Sequence, residues 1–397
     1  MLVQFMLRNV LSFKKETILD MTAISAYKEH QCNMIDIDTK EKFLRVASIY
    51  GANASGKSNI HLAMQYFQKI VAQSINNVQE GKNTAIAKYY QPYSFDNEYS
   101  SSEFQIVEIL DGFEYTYGFE YDDKNIIAEW LYSKNLETNR TSIILERTKE
   151  YIKFGASVRR KCDLFKDQIP SETLVLSFFN KLKLKDNVFK IVYAGIMDTL
   201  VVPADFWKDQ ELFEVALPKV IDYDHDKFMT FLNAIDTGIK DIKYDDSDKD
   251  IKFTTYHVGE DGRSYPLNLW FESEGTLKSI MLYIYARAAI KKNRSIFVDE
   301  LNATLHPLLL KFIVDLFYEE CSTAQLIYTT HDTTLMDKKF FRRDQIWFVQ
   351  KDEYGYSELI ALSDYKVRSD ASFEKDYLSG VYGGIPLIDE FSMKEGD

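Results

Sequence analysis

Val46-Ala47-Ser48-Ile49-Tyr50-Gly51-Ala52-Asn53-Ala54-Ser55-Gly56-Lys57-Ser58-Asn59 is the stretch that decides the fold. The apolar run over residues 43–50 reads as a mostly buried strand. It enters a loop that matches G-x-x-x-x-G-K-[ST] in full. Downstream, Ile60, Met64, Phe67, Val71 and Ile75 recur at three- and four-residue spacing, the stripe of an amphipathic helix. In a strand, glycine loop and helix so ordered, backbone N–H groups close round a phosphate and the positive helix N-terminus faces it. On this reading Asn53, Ala54, Ser55, Gly56, Lys57, Ser58 and Asn59 form a cradle for ATP. Lys57 reaches the β- and γ-phosphates, and the Ser58 hydroxyl ligates Mg²⁺.

A second signal is Ile296-Phe297-Val298-Asp299-Glu300. An apolar strand ending in two acids puts carboxylates at the carboxyl edge of a sheet, where ligands bind in open α/β folds. Asp299 is then a candidate Mg²⁺ ligand, and Glu300 the general base that polarises the attacking water. Taken alone, two acids after a strand are equally a solvated strand end. Ser273-Glu274-Gly275-Thr276 lies 26 residues before Asp299 and opens a helix. It reads either as an anion-facing helix start or as an ordinary serine cap. A further apolar strand ends in Thr329-Thr330-His331-Asp332, where His331 reads as a polar strand-end residue or, by the resemblance given below, as a phosphate sensor. His306, before Pro307 at a helix start, reads as a packing or D-loop residue rather than a catalytic one, and His61, on the helix after the loop, as structural.

Around these motifs the chain is patterned for one composite unit. Phe113, Tyr115, Tyr117, Phe119 and Tyr121 alternate as in a half-buried strand, preceded by an Asp111-Gly112 hairpin signal. Stretches 174–184 and 226–234 look helical, and 251–258 and 267–271 read as strands joined by a turn with Gly259 and Gly262. Asp245, Asp246, Asp248 and Asp250 read as a turn between strands rather than a metal site. The fold class is α/β, with strands alternating with helices in the last third. Residues 1–150 form a lobe with the glycine loop and an antiparallel β-subdomain, 151–240 a mainly helical insertion, and 241–397 a second lobe with the remaining motifs.

Composition narrows the partners. The chain has 397 residues, 61 acidic against 48 basic, and a formal charge of -13. A protein that coats nucleic acid by charge alone would be basic, so that reading is disfavoured. Arg159-Arg160-Lys161 with Lys181, Lys183 and Lys185 read first as a solvated helical face and second as a nucleic-acid or partner surface, and Lys291, Lys292 and Arg294 form a small basic patch that is a candidate for contact. With 14% aromatics the chain has ample apolar surface to bury. Cys32, Cys162 and Cys321 are odd in number and widely spaced, which argues against disulfides or structural zinc and fits a cytoplasmic setting. No signal peptide or membrane-spanning run is expected.

In the order glycine loop, S-E-G-T, paired acids, following loop and histidine, the chain resembles the ABC-type P-loop NTPase heads of SMC, Rad50 and RecF-like proteins. The resemblance implies that Ser273 and Gly275 cap the γ-phosphate bound to a partner subunit, so that ATP is sandwiched in a homodimer or higher homo-oligomer. It also implies a glutamine contact to the site, for which Gln91 before Pro92 is the candidate; the alternative is a plain loop residue. Over the whole length the chain resembles the AAA15-type ABC ATPases of phage-defence and abortive-infection loci, the RloA/AbiL-like subunits. The residues carrying this are Asn9-Val10-Leu11-Ser12-Phe13, residues 51–59, residues 299–307, Arg342 to Phe348, Leu362 to Tyr365, and Tyr377 to Pro386. Such subunits act beside a separately encoded effector, a nuclease or an RloB-like protein. This chain departs from the ABC pattern in having Ala54 where glycine is common and S-E-G-T where S-G-G-Q is common. A DNA-repair clamp of RecF or SMC type is the competing reading, against which stand the absence of sustained heptads and the acidic charge. A sensor that holds ATP and rarely turns it over is the third.

Overall fold

The computed structural model describes the chain except residues 77–83, 97–99, 185–186, 204, 236, 248–249, 303–306, 320–321, 368–370 and 386–397. His306, Cys321, Lys185, Asp248 and Pro386, singled out above, lie outside the described residues.

Val46–Tyr50 is buried at every position because it is an inner strand of a six-stranded sheet. The order across that sheet is Leu200–Val202, Ser295–Val298, Gln325–Thr329, Val46–Tyr50, Ile346–Lys351 and Ser357–Ala361. The first five run parallel, and the last returns antiparallel as a hairpin. Strands covered on both faces lose the polar–apolar alternation and read as continuous apolar runs, as SIFV and QLIYT do here. Register sets Thr329 opposite Ile49, and Val298 opposite Tyr328. The motifs that follow these strands therefore emerge at one edge of the sheet.

The helix Lys57–Gln73 buries Ile60, Met64, Phe67 and Val71 on one face, together with Ala63 and Ile70. It covers an antiparallel sheet of seven strands, in which Leu2–Arg8 sits between Thr17–Asp20 and Ser102–Leu110. Phe67 stacks on Phe119 with 5.7 Å between centroids and meets Phe5 and Phe104. The expected Asp111-Gly112 turn has φ of 49° and 79°, the left-handed pair that a tight hairpin demands. On the other side of the parallel sheet, Gln210–Ala234, Glu274–Lys292 and Pro307–Glu319 close a second apolar cluster. Among the described residues no helix is long and apolar enough to cross a membrane.

The segment 151–240 carries Val175–Lys181, Val188–Asp198 and Gln210–Ala234, and also two short strands that belong to the two main sheets. Ile152–Phe154 extends the antiparallel sheet, and Leu200–Val202 forms the outer strand of the parallel one. The strand expected at 267–271 is displaced. It spans Ser264–Asn268, after which Asn268 Oδ1 accepts from Trp270 N (3.0 Å) and starts a short 3-10 turn.

One buried ion pair joins the β-subdomain to the helical segment. Glu129 is 1% exposed and accepts from the N–H groups of Val175 (2.7 Å) and Leu176 (3.0 Å), the first turn of a helix. Burial pushes its carboxyl up, while Arg147 at 3.7 Å and those two N–H groups pull it back. Arg147 in turn donates to the carbonyls of Thr173, Pro170 and Ser171. Glu129→Ala would strand a buried guanidinium and uncap the helix. It should lower folding stability by about 3–5 kcal/mol, read from the urea midpoint. A loss under about 1 kcal/mol, the size of a surface pair, would contradict this role.

Candidate functional site

The loop after Val46–Tyr50 is shaped by glycine where the chain needs it. Gly56 has φ +113° and precedes the first helical residue. A Cβ there would fall 2.3 Å from Ser357 Oγ and 2.8 Å from Ser12 Oγ. The two serines press on the loop from opposite ends of the chain. Ser357 Oγ donates to Ser55 O (2.5 Å) and meets Ser12 Oγ at 2.8 Å, and Ser357 N donates to Ser12 O (2.7 Å). Asn59 Nδ2 also donates to Ser12 Oγ (2.8 Å). Ala54, where glycine is common, has φ +62°. A left-handed alanine costs about 1–2 kcal/mol, which accounts for that preference.

Lys57 is 6% exposed, and its Nζ donates to the carbonyls of Gly51 (2.7 Å) and Ala52 (2.9 Å). Burial lowers its pKa, and the Glu300 and Asp299 carboxylates raise it again. Ala52, Asn53, Ala54, Gly56, Lys57, Ser58, Asn59 and Glu300 line a cavity of about 530 Å³. Ser55 does not line it; its Oγ is buried against Gly51 without a hydrogen-bond partner among the described residues. A polar loop with glycines drawn tight and a buried ammonium suits a polyanion with its counter-cation.

Asp299 and Glu300 leave the strand Ser295–Val298, which is separated from the loop strand by Gln325–Thr329. The end of that intervening strand ties both neighbours. Thr330 N donates to Ile49 O (2.9 Å) and Leu301 N to Thr329 O (3.0 Å). Asn302, absent from the expected site, is 8% exposed, accepts from Thr330 Oγ1 (2.7 Å) and places its Nδ2 3.2 Å from His331 Nε2. The amide N–H makes that ring nitrogen the acceptor. His331 itself is exposed at the strand end.

Other expected residues lie away from the cavity. Ser273 caps the helix Glu274–Lys292, with Oγ accepting from Thr276 N (3.1 Å), and Gly275 follows in the first turn. Neither lines the cavity of its own chain. Gln91 is exposed and also outside the lining; its carbonyl accepts from Leu11 N (2.7 Å). His61 is buried with its ring edge-on to Phe297 at 5.2 Å. Missed by sequence reasoning were Ser357 and Thr329, for which no local pattern exists, and the role of Ser12, which the Asn9–Phe13 resemblance flagged without explaining.

Two substitutions test this loop geometry in opposite directions. Ala54→Gly should stabilise the chain by about 1 kcal/mol, since relief of the left-handed strain outweighs the added freedom of the unfolded chain. Gly56→Ala should destabilise it by more than that, because Ser12 and Ser357 must both retreat. Thermal melts of the two variants check this; equal and small shifts would show that the loop is not clamped.

A family model described as "AAA domain, putative AbiEii toxin, Type IV TA system" matches residues 46–337. No curated relative matches the chain. Among solved structures, an SMC head bound to the C-winged helix domain of ScpA is 14% identical, covers 95% of this chain and 99% of that chain, and has a TM-score of 0.45. The SMC head domain from Thermotoga maritima is 13% identical over 91% of this chain and 98% of that one, with a TM-score of 0.42. An SMC head with an extended coiled coil, bound to the C-terminal domain of ScpA and derived from Pyrococcus furiosus, is 12% identical over 96% and 99%, with a TM-score of 0.38. Likenesses this weak carry nothing further over to this chain. The family match spans most of the chain and contains both the glycine loop and the paired acids, so the protein belongs to this family of AAA domains.

Proposed function

We propose that the chain is the ABC-type ATPase subunit of an anti-phage defence system, and that it pairs with a second copy on ATP to control a separately encoded effector. The observation that carries the ATPase part is the single cavity shared by the loop, Lys57 and Glu300. The defence setting rests on the whole-length resemblance to RloA/AbiL-like subunits, and the family's AbiEii-type description agrees with it. A nuclease or an RloB-like protein is the effector class this resemblance favours.

Binding begins with the loop N–H groups and Lys57. The Lys57 ammonium exchanges the carbonyls of Gly51 and Ala52 for phosphate oxygens, and a polyanion beside it holds it charged against the effect of burial. Ser58 and Asp299 would hold Mg²⁺, which supplies charge neutralisation at the β- and γ-phosphates. Glu300 accepts the proton of the attacking water. His331, oriented by Asn302, senses the terminal phosphate. Ser273 and Gly275 would serve the phosphate of a second copy, a reading supported by their place at a helix N-terminus outside this cavity. ATP then favours the paired state because it contacts both copies there and one copy otherwise.

Lys57→Ala should weaken ATP binding roughly 10- to 100-fold, the worth of a charge-assisted contact. Glu300→Gln should keep binding, lose roughly 100-fold or more in kcat, and accumulate a two-copy species with ATP in sedimentation. Wild-type turnover by Glu300→Gln would remove that residue from the role of base.

A further inference from the structure

Thr329 ends the strand that lies between the two segments lining the cavity. Its strand runs between the strand that feeds the loop and the strand that ends in the paired acids. The side chain is fully buried, and its hydroxyl is used twice. Oγ1 donates to Asp299 Oδ1 (2.5 Å) and accepts from the backbone N–H of Glu300 (2.7 Å). One atom thus fixes the rotamer of the first acid and the backbone of the second.

The backbone of Glu300 needs such a hold. Its φ is +47°, a left-handed conformation that costs a non-glycine residue roughly 1–3 kcal/mol and persists only where its surroundings over-determine it. In that conformation Glu300 forms part of the cavity wall opposite the loop. The same strand end holds the sensing side through a separate hydroxyl, since Thr330 Oγ1 bonds Asn302 and Asn302 meets His331. Packing alone does not call for a hydroxyl at position 329. Valine has nearly the same shape, and a buried hydroxyl is tolerated where it is bonded.

We propose that Thr329 is the positioning residue of the acid pair: its hydroxyl presents Asp299 to a divalent cation and holds Glu300 in the turn that faces the nucleotide. This rests on the roles given to Asp299 and Glu300 above. Outer contacts of this kind change metal affinity or turnover by roughly 10- to 100-fold when removed.

The test compares Thr329→Val with Thr329→Ser in the full chain. Three quantities are read: affinity for a fluorescent ATP analogue in EDTA, the Mg²⁺ concentration that half-saturates the metal-dependent gain in that affinity, and kcat. Thr329→Val should keep metal-free binding within about twofold, raise the Mg²⁺ midpoint about tenfold and lower kcat about tenfold or more. Thr329→Ser, which keeps the hydroxyl, should return both to near wild type. The proposal is overturned if Thr329→Val matches wild type in Mg²⁺ midpoint and kcat, if Thr329→Ser is as impaired as Thr329→Val, or if metal-free affinity falls as far as kcat. A wild-type chain that shows no Mg²⁺-dependent ATP binding would instead overturn the reading of the whole site, and this proposal with it. The Mg²⁺ midpoint is measured without turnover, so it tests the hold on Asp299 whether or not Glu300 is the base.

Discussion

The structure depends on the approach of Gly56 to Ser12 and Ser357. Three segments far apart in the chain meet at that glycine, and the two serines are 345 positions apart. A phosphate loop without support would be a flexible glycine turn. Here the N-terminal turn and the returning C-terminal hairpin press on it from outside, and the hydroxyls satisfy the loop carbonyl of Ser55 and the amide of Asn59. The loop's shape is thus held by contacts from the protein's own distant segments.

Strand order does the rest. The loop and the paired acids come from strands that are not neighbours, and the strand between them ends in two threonines. Each threonine hydroxyl serves a different partner, Thr329 the acids and Thr330 the amide that meets His331. The edge of the parallel sheet is therefore one connected polar layer. The S-E-G-T helix start is not part of it. It caps itself through Ser273 and presents its first turn outside the cavity. On the proposed reading the loop and the S-E-G-T helix start would be two half-sites that meet only between copies, since neither Ser273 nor Gly275 lines the cavity of its own chain.

Much of this was legible in the sequence, for physical reasons. The glycine loop is read locally because its backbone conformation demands glycine at set positions, and the helix after it because its apolar stripe has the helical period. The aromatic alternation from Phe113 to Tyr121 likewise announced its strand. Leu200–Val202 was not legible: three apolar residues carry no period, and only pairing with Ser295–Val298 makes them a strand. The short turn at Leu269–Phe271 turned on a side-chain contact from Asn268 that overrides an apolar run. Thr329 and Ser357 were invisible because their partners are set by strand order and not by spacing. The left-handed backbone of Glu300 has no compositional sign at all.

The claim that two half-sites meet only between copies is tested most directly by mixing two inactive variants. Lys57→Ala spoils the loop of its own copy and leaves Ser273 intact; Ser273→Arg does the reverse. In a mixed pair one site would hold both lesions and the other neither. ATP hydrolysis should therefore reappear when the two purified variants are combined, although each alone is inactive. If the mixture stays as inactive as its components while both variants still pair with wild type, the S-E-G-T segment acts within its own copy and the account is wrong.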